Sequence, residues 1–209
     1  MTAQSANPVQ PDAAYGVVIG PGAVRFERIL PGPIERVWNY LTDSKKRSTW
    51  LAAGEMELRP GGSVEHIFRN AELTGHDDPP PAKYAGHSKE SRMHGHILAC
   101  EPPRLLAYSW GETTGEHADA DSEVRFELST AGKDVRLVLT HSRLANRDSM
   151  VGVSGGWHSH LAVLADRLAG RTPASFWPAF AQLESEYGQR IPASQQGAAK
   201  NPAKDPAGR

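Results

Sequence analysis

A single cysteine, Cys100, rules out an intramolecular disulfide and a cysteine-rich zinc site, and it suits a reducing compartment. No stretch approaches the roughly 18 apolar residues that a spanning helix needs, so no membrane insertion is expected. Neither sign of charge dominates: 23 Lys and Arg against 24 Asp and Glu give a net −1 with the nine histidines neutral. Without a basic face, nucleic acid is not an expected partner. Apolar residues are scarce too, at 39% of the chain, beside 20 Gly and 16 Pro. The shortage sits at the ends. Residues 1–15 and 189–209 carry almost no large apolar side chains and are expected to be disordered tails, because they cannot bury enough surface to offset ordering entropy. That leaves residues 16–188 as one domain with material for a sizeable core. The first residues show neither the basic nor the apolar region of a secretory signal, so the cytoplasm is the expected location.

Within the domain, residues 24–30 alternate Val24, Phe26, Arg28 and Leu30 against Arg25, Glu27 and Ile29, which predicts a strand. Pro31-Gly32-Pro33 breaks it, and Ile34, Val37, Trp38 and Leu41 then follow helical spacing. Thr42-Asp43-Ser44 offers a cap for a second short helix ending near Trp50-Leu51. Strands are expected at 55–58, 63–68, 94–100, 105–110, 122–128 and 135–141, with short connections that make neighbours antiparallel. A helix follows over 151–169, stopped by Gly170, and a last one over 173–188, with Thr172 as cap and Gly188 at its end. The connection 70–93, with Pro79-Pro80-Pro81, is long for a compact domain, and such segments are usually functional or disordered. This order of elements predicts an α+β fold, an antiparallel sheet with one long amphipathic helix laid across it.

Several motifs occur in an order that points further. Arg28-Ile29-Leu30-Pro31 precedes Glu35-Arg36-Val37-Trp38, then Trp50-Leu51 and Leu58-Arg59-Pro60-Gly61-Gly62. Glu101-Pro102-Pro103-Arg104-Leu105, Tyr108-Ser109-Trp110, the run from Ser122 to Leu128, Leu139-Thr140-His141-Ser142 and Gly156-Trp157 complete the set. Over residues 24–170 the chain resembles the START-like (SRPBCC, birch-pollen-allergen-like) superfamily. Within it, the chain looks most like the branch named after the C-terminal domain of the activator of the ninety-kilodalton heat-shock-protein ATPase. The resemblance implies a helix-grip fold: two short helices after the first strand, and a curved sheet of six to seven strands around a long C-terminal helix, with a cavity between them. Members of the superfamily bind lipids, hormones and polyketides, or catalyse cyclisation and dehydration. The 70–93 segment and the 173–188 helix lie outside the usual pattern, as material for the cavity mouth or a homodimer contact.

Strand parity selects the candidates for the cavity. If Leu98 faces inward with Cys100, so do His94 and His96. Tyr108 and Trp110, then Phe126, then Leu139 and His141 share the inner face on later strands. Trp157, His160, Leu161 and Leu164 look down from the helix. With Trp38, Trp50 and Phe68 they make an aromatic and aliphatic lining with a few polar tips, the profile of a small-molecule pocket.

His96, His141 and His160 are the candidates for orienting a ligand or moving a proton, with Tyr108 as a candidate acid or oxyanion donor. No metal or cofactor is expected: His94-Gly95-His96 has no carboxylate or cysteine at a matching offset, and His158 and His160 diverge on a helix. Ser154 among its glycines lacks the buried strand that a nucleophile elbow requires. The Lys45-Lys46-Arg47 run reads as a solvated helix face, and Arg59 beside its tight turn as solvated or ion-paired.

Three functions fit these residues. The leading one is non-catalytic binding of a small hydrophobic or aromatic ligand. The second is a polyketide cyclase, dehydratase or hydrolase using His96 or His160 as base. The third is an interaction module that meets a chaperone or dimerises through 173–188.

Overall fold

The computed structural model describes residues 15–76, 78–87, 90–111 and 122–195. Most of the two expected tails therefore lies outside the described residues. Seven strands, β1 (Val17–Gly20), β2 (Ala23–Pro31), β3 (Ser63–Phe68), β4 (Ser91–Glu101), β5 (Leu105–Trp110), β6 (Ser122–Ala131) and β7 (Asp134–Ser142), form one antiparallel sheet. Their order is β1-β2-β7-β6-β5-β4-β3, so β3 to β7 run as a meander and β2 closes onto the last strand. Helices α1 (Ile34–Thr42) and α2 (Ser44–Arg47) follow β2, and α3 (Arg147–Leu168) and α4 (Phe176–Arg190) end the domain. This is the expected α+β helix-grip architecture.

The register explains the core. Phe26 pairs with Leu139, Leu139 with Phe126 and Phe126 with Leu106, so one inward row crosses four strands. The next row runs Val24, His141, Val124, Tyr108, Ile97. All of these side chains are buried, and α3 covers them with Trp157, Leu161, Leu164 and Leu168. The spacing of Ile34, Val37, Trp38 and Leu41 makes one stripe of α1, and all four are buried as that spacing predicts.

Several boundaries differ from expectation, each for a local reason. The predicted strand at 55–58 is only two isolated bridges, Ala53 to Ile67 and Met56 to Val64. The edge strand β1 was not foreseen; it is short and one-sided, with Val17 and Ile19 exposed. Asn146-Arg147-Asp148-Ser149 is not a loop before α3. The Asn146 side chain accepts from Ser149 N at 2.8 Å, so α3 starts there and the Gly152–Gly156 stretch lies inside the helix. Thr172 and Pro173 are not the start of α4, which begins at Phe176 and runs past Gly188 to Arg190. Its last carbonyls are held by Arg147: Nη2 donates to Gly188 O at 2.6 Å and Ile191 O at 2.9 Å. That cap outweighs the glycine as a stop signal. The tail boundaries move accordingly. Ile191 is buried, and the Tyr15 hydroxyl bonds the Glu186 carboxylate, so neither residue belongs to a loose end.

Candidate functional site

A cavity of ≈370 Å³ opens where α3, α4 and the 70–93 segment meet the end of the sheet. Its floor is one face of α3: Gly152, Val153, Gly156, Trp157 and His160. One wall is the first turns of α4, with Phe176, Trp177 and Phe180. The other comes from Phe68 at the end of β3, Trp110 at the end of β5, and Asn70, Tyr84 and Ser91. The size falls in the range of small-molecule sites.

The local sequence makes this space in two ways. Gly155 lets the helices cross closely: a Cβ there would meet Glu184 Cα at 3.1 Å. Gly152 and Gly156, on the adjoining face, carry no side chain to fill the gap beside Tyr84 and Phe180. The 70–93 segment then closes over it as two 3-10 turns, Asn70–Glu72 and Ala82–His87. Tyr84 stacks on Trp177 with centroids 6.2 Å apart and meets Phe180 edge-on at 5.1 Å.

A polar latch ties this segment to α4. The Tyr84 hydroxyl donates to Glu184 Oε1 at 2.6 Å, and Lys83 Nζ lies 2.6 Å from the same oxygen. Burial, and then the Glu184 carboxylate, push the Tyr84 phenol above its ordinary value, so it stays a donor. Tyr84→Phe is expected to lower stability by about 1 kcal/mol, the size of one half-exposed hydrogen bond to a charged partner. It should also speed release of any bound fluorophore several-fold. Urea unfolding and stopped-flow dissociation check this; unchanged release would show that the segment does not gate the cavity.

Four of the expected site residues meet at the cavity: Phe68, Trp110, Trp157 and His160. Their rings touch, with Trp110 and Trp157 centroids at 4.9 Å and Phe68 and Trp110 at 5.9 Å. Trp38, Trp50, Tyr108, Phe126, Leu139, Leu161 and Leu164 are packed in the core and do not line the cavity.

His141 is also core, with both ring nitrogens engaged. Trp157 Nε1 donates to its Nδ1 at 3.0 Å and Nε2 lies 3.1 Å from Ser122 Oγ, which itself donates to Trp110 O. Burial pushes its pKa down to about 3, so it stays neutral and structural.

His96 and Leu98 are a correction: both lie exposed on the outer face, while Met93 and Ile97 point inward. Ile97 to Cys100 is a continuous apolar run, so alternation fits either phase, and a one-residue slip inverts every side chain. A register shift between Ile97 and Ala99 compounds it. His96 Nδ1 instead sits 3.1 Å from Ser109 Oγ.

His160 is the polar group with chemical potential. Its Nδ1 lies 2.8 Å from the Trp50 carbonyl, which can only accept, so that nitrogen carries the proton and Nε2 is a lone pair. Burial pushes its pKa down to about 4, partly offset by that carbonyl. A neutral imidazole of such low basicity has a lone pair that can accept a hydrogen bond but abstracts a proton poorly at neutral pH. Trp177 Nε1 is buried with no hydrogen-bond partner, as is Asn70 Oδ1.

Trp177, Phe176 and Phe180 were missed as lining because the α4 stripe read as a mouth or dimer contact. Asn70 and Tyr84 had no signal beyond the unusual length of 70–93. Ser154 sits mid-helix in α3, buried, in no nucleophile elbow. Arg59 is exposed and paired with Glu57 at 2.9 Å. Among the described residues no three His, Cys, Asp or Glu side chains are grouped to hold a metal. None of the described helices is long and apolar enough to cross a membrane.

The family described as Activator of Hsp90 ATPase homolog 1-like protein matches residues 31–169. The chain belongs to that family. Among solved structures, the solution NMR structure of the protein encoded by gene BPP1335 from Bordetella parapertussis is 47% identical to this family member. It covers 95% of this chain and all of its own, with a TM-score of 0.72. CalU16 from Micromonospora echinospora is 26% identical, over 81% of this chain and 85% of its own, with a TM-score of 0.57. The Aha1 dimer from Colwellia psychrerythraea shares the fold at 15% identity, over 70% and 95%, with a TM-score of 0.53. No curated protein sequence matches the chain. The family match ends at residue 169, so α4, one wall of the cavity, lies beyond it.

Proposed function

We propose that the protein is a non-catalytic binding protein for a small, flat aromatic or otherwise hydrophobic molecule, held in the cavity between α3, α4 and the 70–93 segment. The observation that carries this reading is the ≈370 Å³ space walled by aromatic rings from separate elements. Such walls contribute apolar contact and ring stacking, and a few unpartnered polar atoms orient what enters.

Catalysis fits less well. His160 is the one member of the candidate set His96, His141, His160 and Tyr108 that lines the cavity, and it is a weak base. An interaction module through α4 fits less well again. Phe176, Trp177, Phe180 and Tyr187 are buried within the domain, which leaves that stripe unavailable to a second copy or a chaperone.

The test uses the chain's own fluorescence. Trp110, Trp157 and Trp177, three of five tryptophans, line the cavity. A series of naphthalene and anthracene derivatives should quench or shift the emission saturably, and Trp177→Phe should remove part of the change. A series that leaves the emission untouched in the intact protein would overturn the reading.

A further inference from the structure

Behind the cavity wall lies a polar pair that packing does not explain. His66, on β3, is wholly buried, and neither Nδ1 nor Nε2 has a hydrogen-bond partner. A neutral imidazole carries one N–H and one lone pair in either tautomer, so both capacities go unused in a place where each is costly to desolvate. Its ring packs on Tyr108 at 5.2 Å, Trp110 at 5.5 Å and Phe68 at 5.7 Å. Phe68 and Trp110 also line the cavity, and both are only half-buried, so a layer of rings stands between His66 and the ligand space.

The charge of Arg47 acts on His66 and Tyr108 of this cluster. Arg47 was expected on a solvated face with Lys45 and Lys46, yet it is 1% exposed. Its Nη1 donates to Thr42 O at 3.0 Å and its Nη2 to Gly54 O, while Nε is buried without a partner. Among the described residues no carboxylate lies within ion-pair distance of it; Glu55 and Asp43 act only at longer range. Burial and the Arg47 charge hold His66 down to about 3, so the histidine is neutral and the site keeps one buried, unbalanced positive charge. Such a charge is costly until an anion meets it.

We propose that His66 and Arg47 form the inner, oxyanion-accepting end of the ligand site, so that the occupant of the cavity is an aromatic acid. Its rings fill the space between Trp157 and Trp177, and its carboxylate, or an equally acidic enol, reaches His66 when the half-buried Phe68 ring swings away from its contact with Trp110. There it accepts from the His66 N–H within the field of Arg47. This rests on the binding reading above and names the chemical class of the ligand.

Calorimetric titration with naphthoate and with naphthamide separates the two ideas, because the pair matches in shape and differs in charge. Wild-type protein should bind naphthoate at least tenfold more tightly at pH 7, and His66→Phe should bring the ratio close to one. Equal or tighter naphthamide binding, or a ratio that His66→Phe leaves unchanged, would overturn the acid specificity and leave the binding reading intact. Binding of neither compound would overturn both. If His66→Phe does not fold, ¹⁵N-histidine spectra of the wild type decide. The His66 ring nitrogens should move with naphthoate and stay put with naphthamide, and no movement with naphthoate would sink the proposal.

Discussion

Taking the protein from pH 7 to pH 5 is expected to unfold it, or to remove most of its stability. Four histidines are held in neutral form, three of them buried and His158 half-buried, and desolvation is the leading cause for each. His66 and His141 are pushed down to about 3, His158 and His160 to about 4, against an ordinary value of 6.5. The folded values lie below the unfolded one. Between pH 6.5 and 4 the unfolded chain therefore binds more protons, and stability falls as pH falls through that window. Each such histidine removes about 1.4 kcal/mol per pH unit, or about 2 kcal/mol by pH 5. Together they remove about 8 kcal/mol, comparable with the whole stability of an ordinary domain, about 5–15 kcal/mol. Carboxylates do not produce this effect. Glu27, held below its ordinary value chiefly by its hydrogen bond to Arg136, protonates only at more acid pH. Thermal melts followed by circular dichroism across pH 5–7 check the result. A melting temperature that stays level over that range would show that these imidazoles are not held neutral.

Trp157→Ala is expected to cost about 3–5 kcal/mol, the range for removing a large buried aromatic from a packed interior. Trp157 is 3% exposed and joins the cavity floor to the core. Its ring meets Trp110 at 4.9 Å, Phe126 at 5.8 Å and His160 at 6.5 Å. Its Nε1 is also the donor to His141 Nδ1, so the substitution strips a wholly buried histidine of one partner as well as leaving a void. Urea unfolding should show a lower midpoint, and whatever protein remains folded should lose the fluorescence response to aromatic ligands. Trp157→Phe separates the terms: it keeps most of the packing but not the hydrogen bond, and should cost less than half as much. If both variants are equally mild, Trp157 is not the link between core and cavity.

The order of elements, the inward rows of β2, β5, β6 and β7 and the buried stripe of α1 were legible in the sequence because period and chain order decide them locally. The ordered motifs pointed to the family for the same reason. The cavity was legible only in part. Trp157 and His160 lie on the predicted face of the predicted helix, and Phe68 and Trp110 end predicted strands. His96 and Leu98 went to the wrong face because an unbroken apolar run has no phase of its own. The pairing of β4 with β5 sets that phase, and the pairing is a tertiary fact.

What decided the site was the meeting of segments far apart in the chain. Gly155 has no marked role in the bare sequence until α4 crosses at Glu184, and only then does its missing side chain allow the close crossing, with Gly152 and Gly156 leaving the space beside it. Tyr84 was one polar-loop residue among many until it reached Trp177 and the Glu184 carboxylate. Arg47 sat in a basic run, where the bare sequence favours solvent. The short α2 turns it inward onto the carbonyls of Thr42 and Gly54, where its charge acts on a histidine whose nitrogens have nothing to bond. The sequence by itself determined the fold class, most of the strands and helices and the family, since local period and order suffice for those, but not edge strand β1 or the starts of α3 and α4. The tertiary structure decided where the cavity is, which rings wall it and where the charge lies, because each depends on distances between residues that the chain keeps far apart.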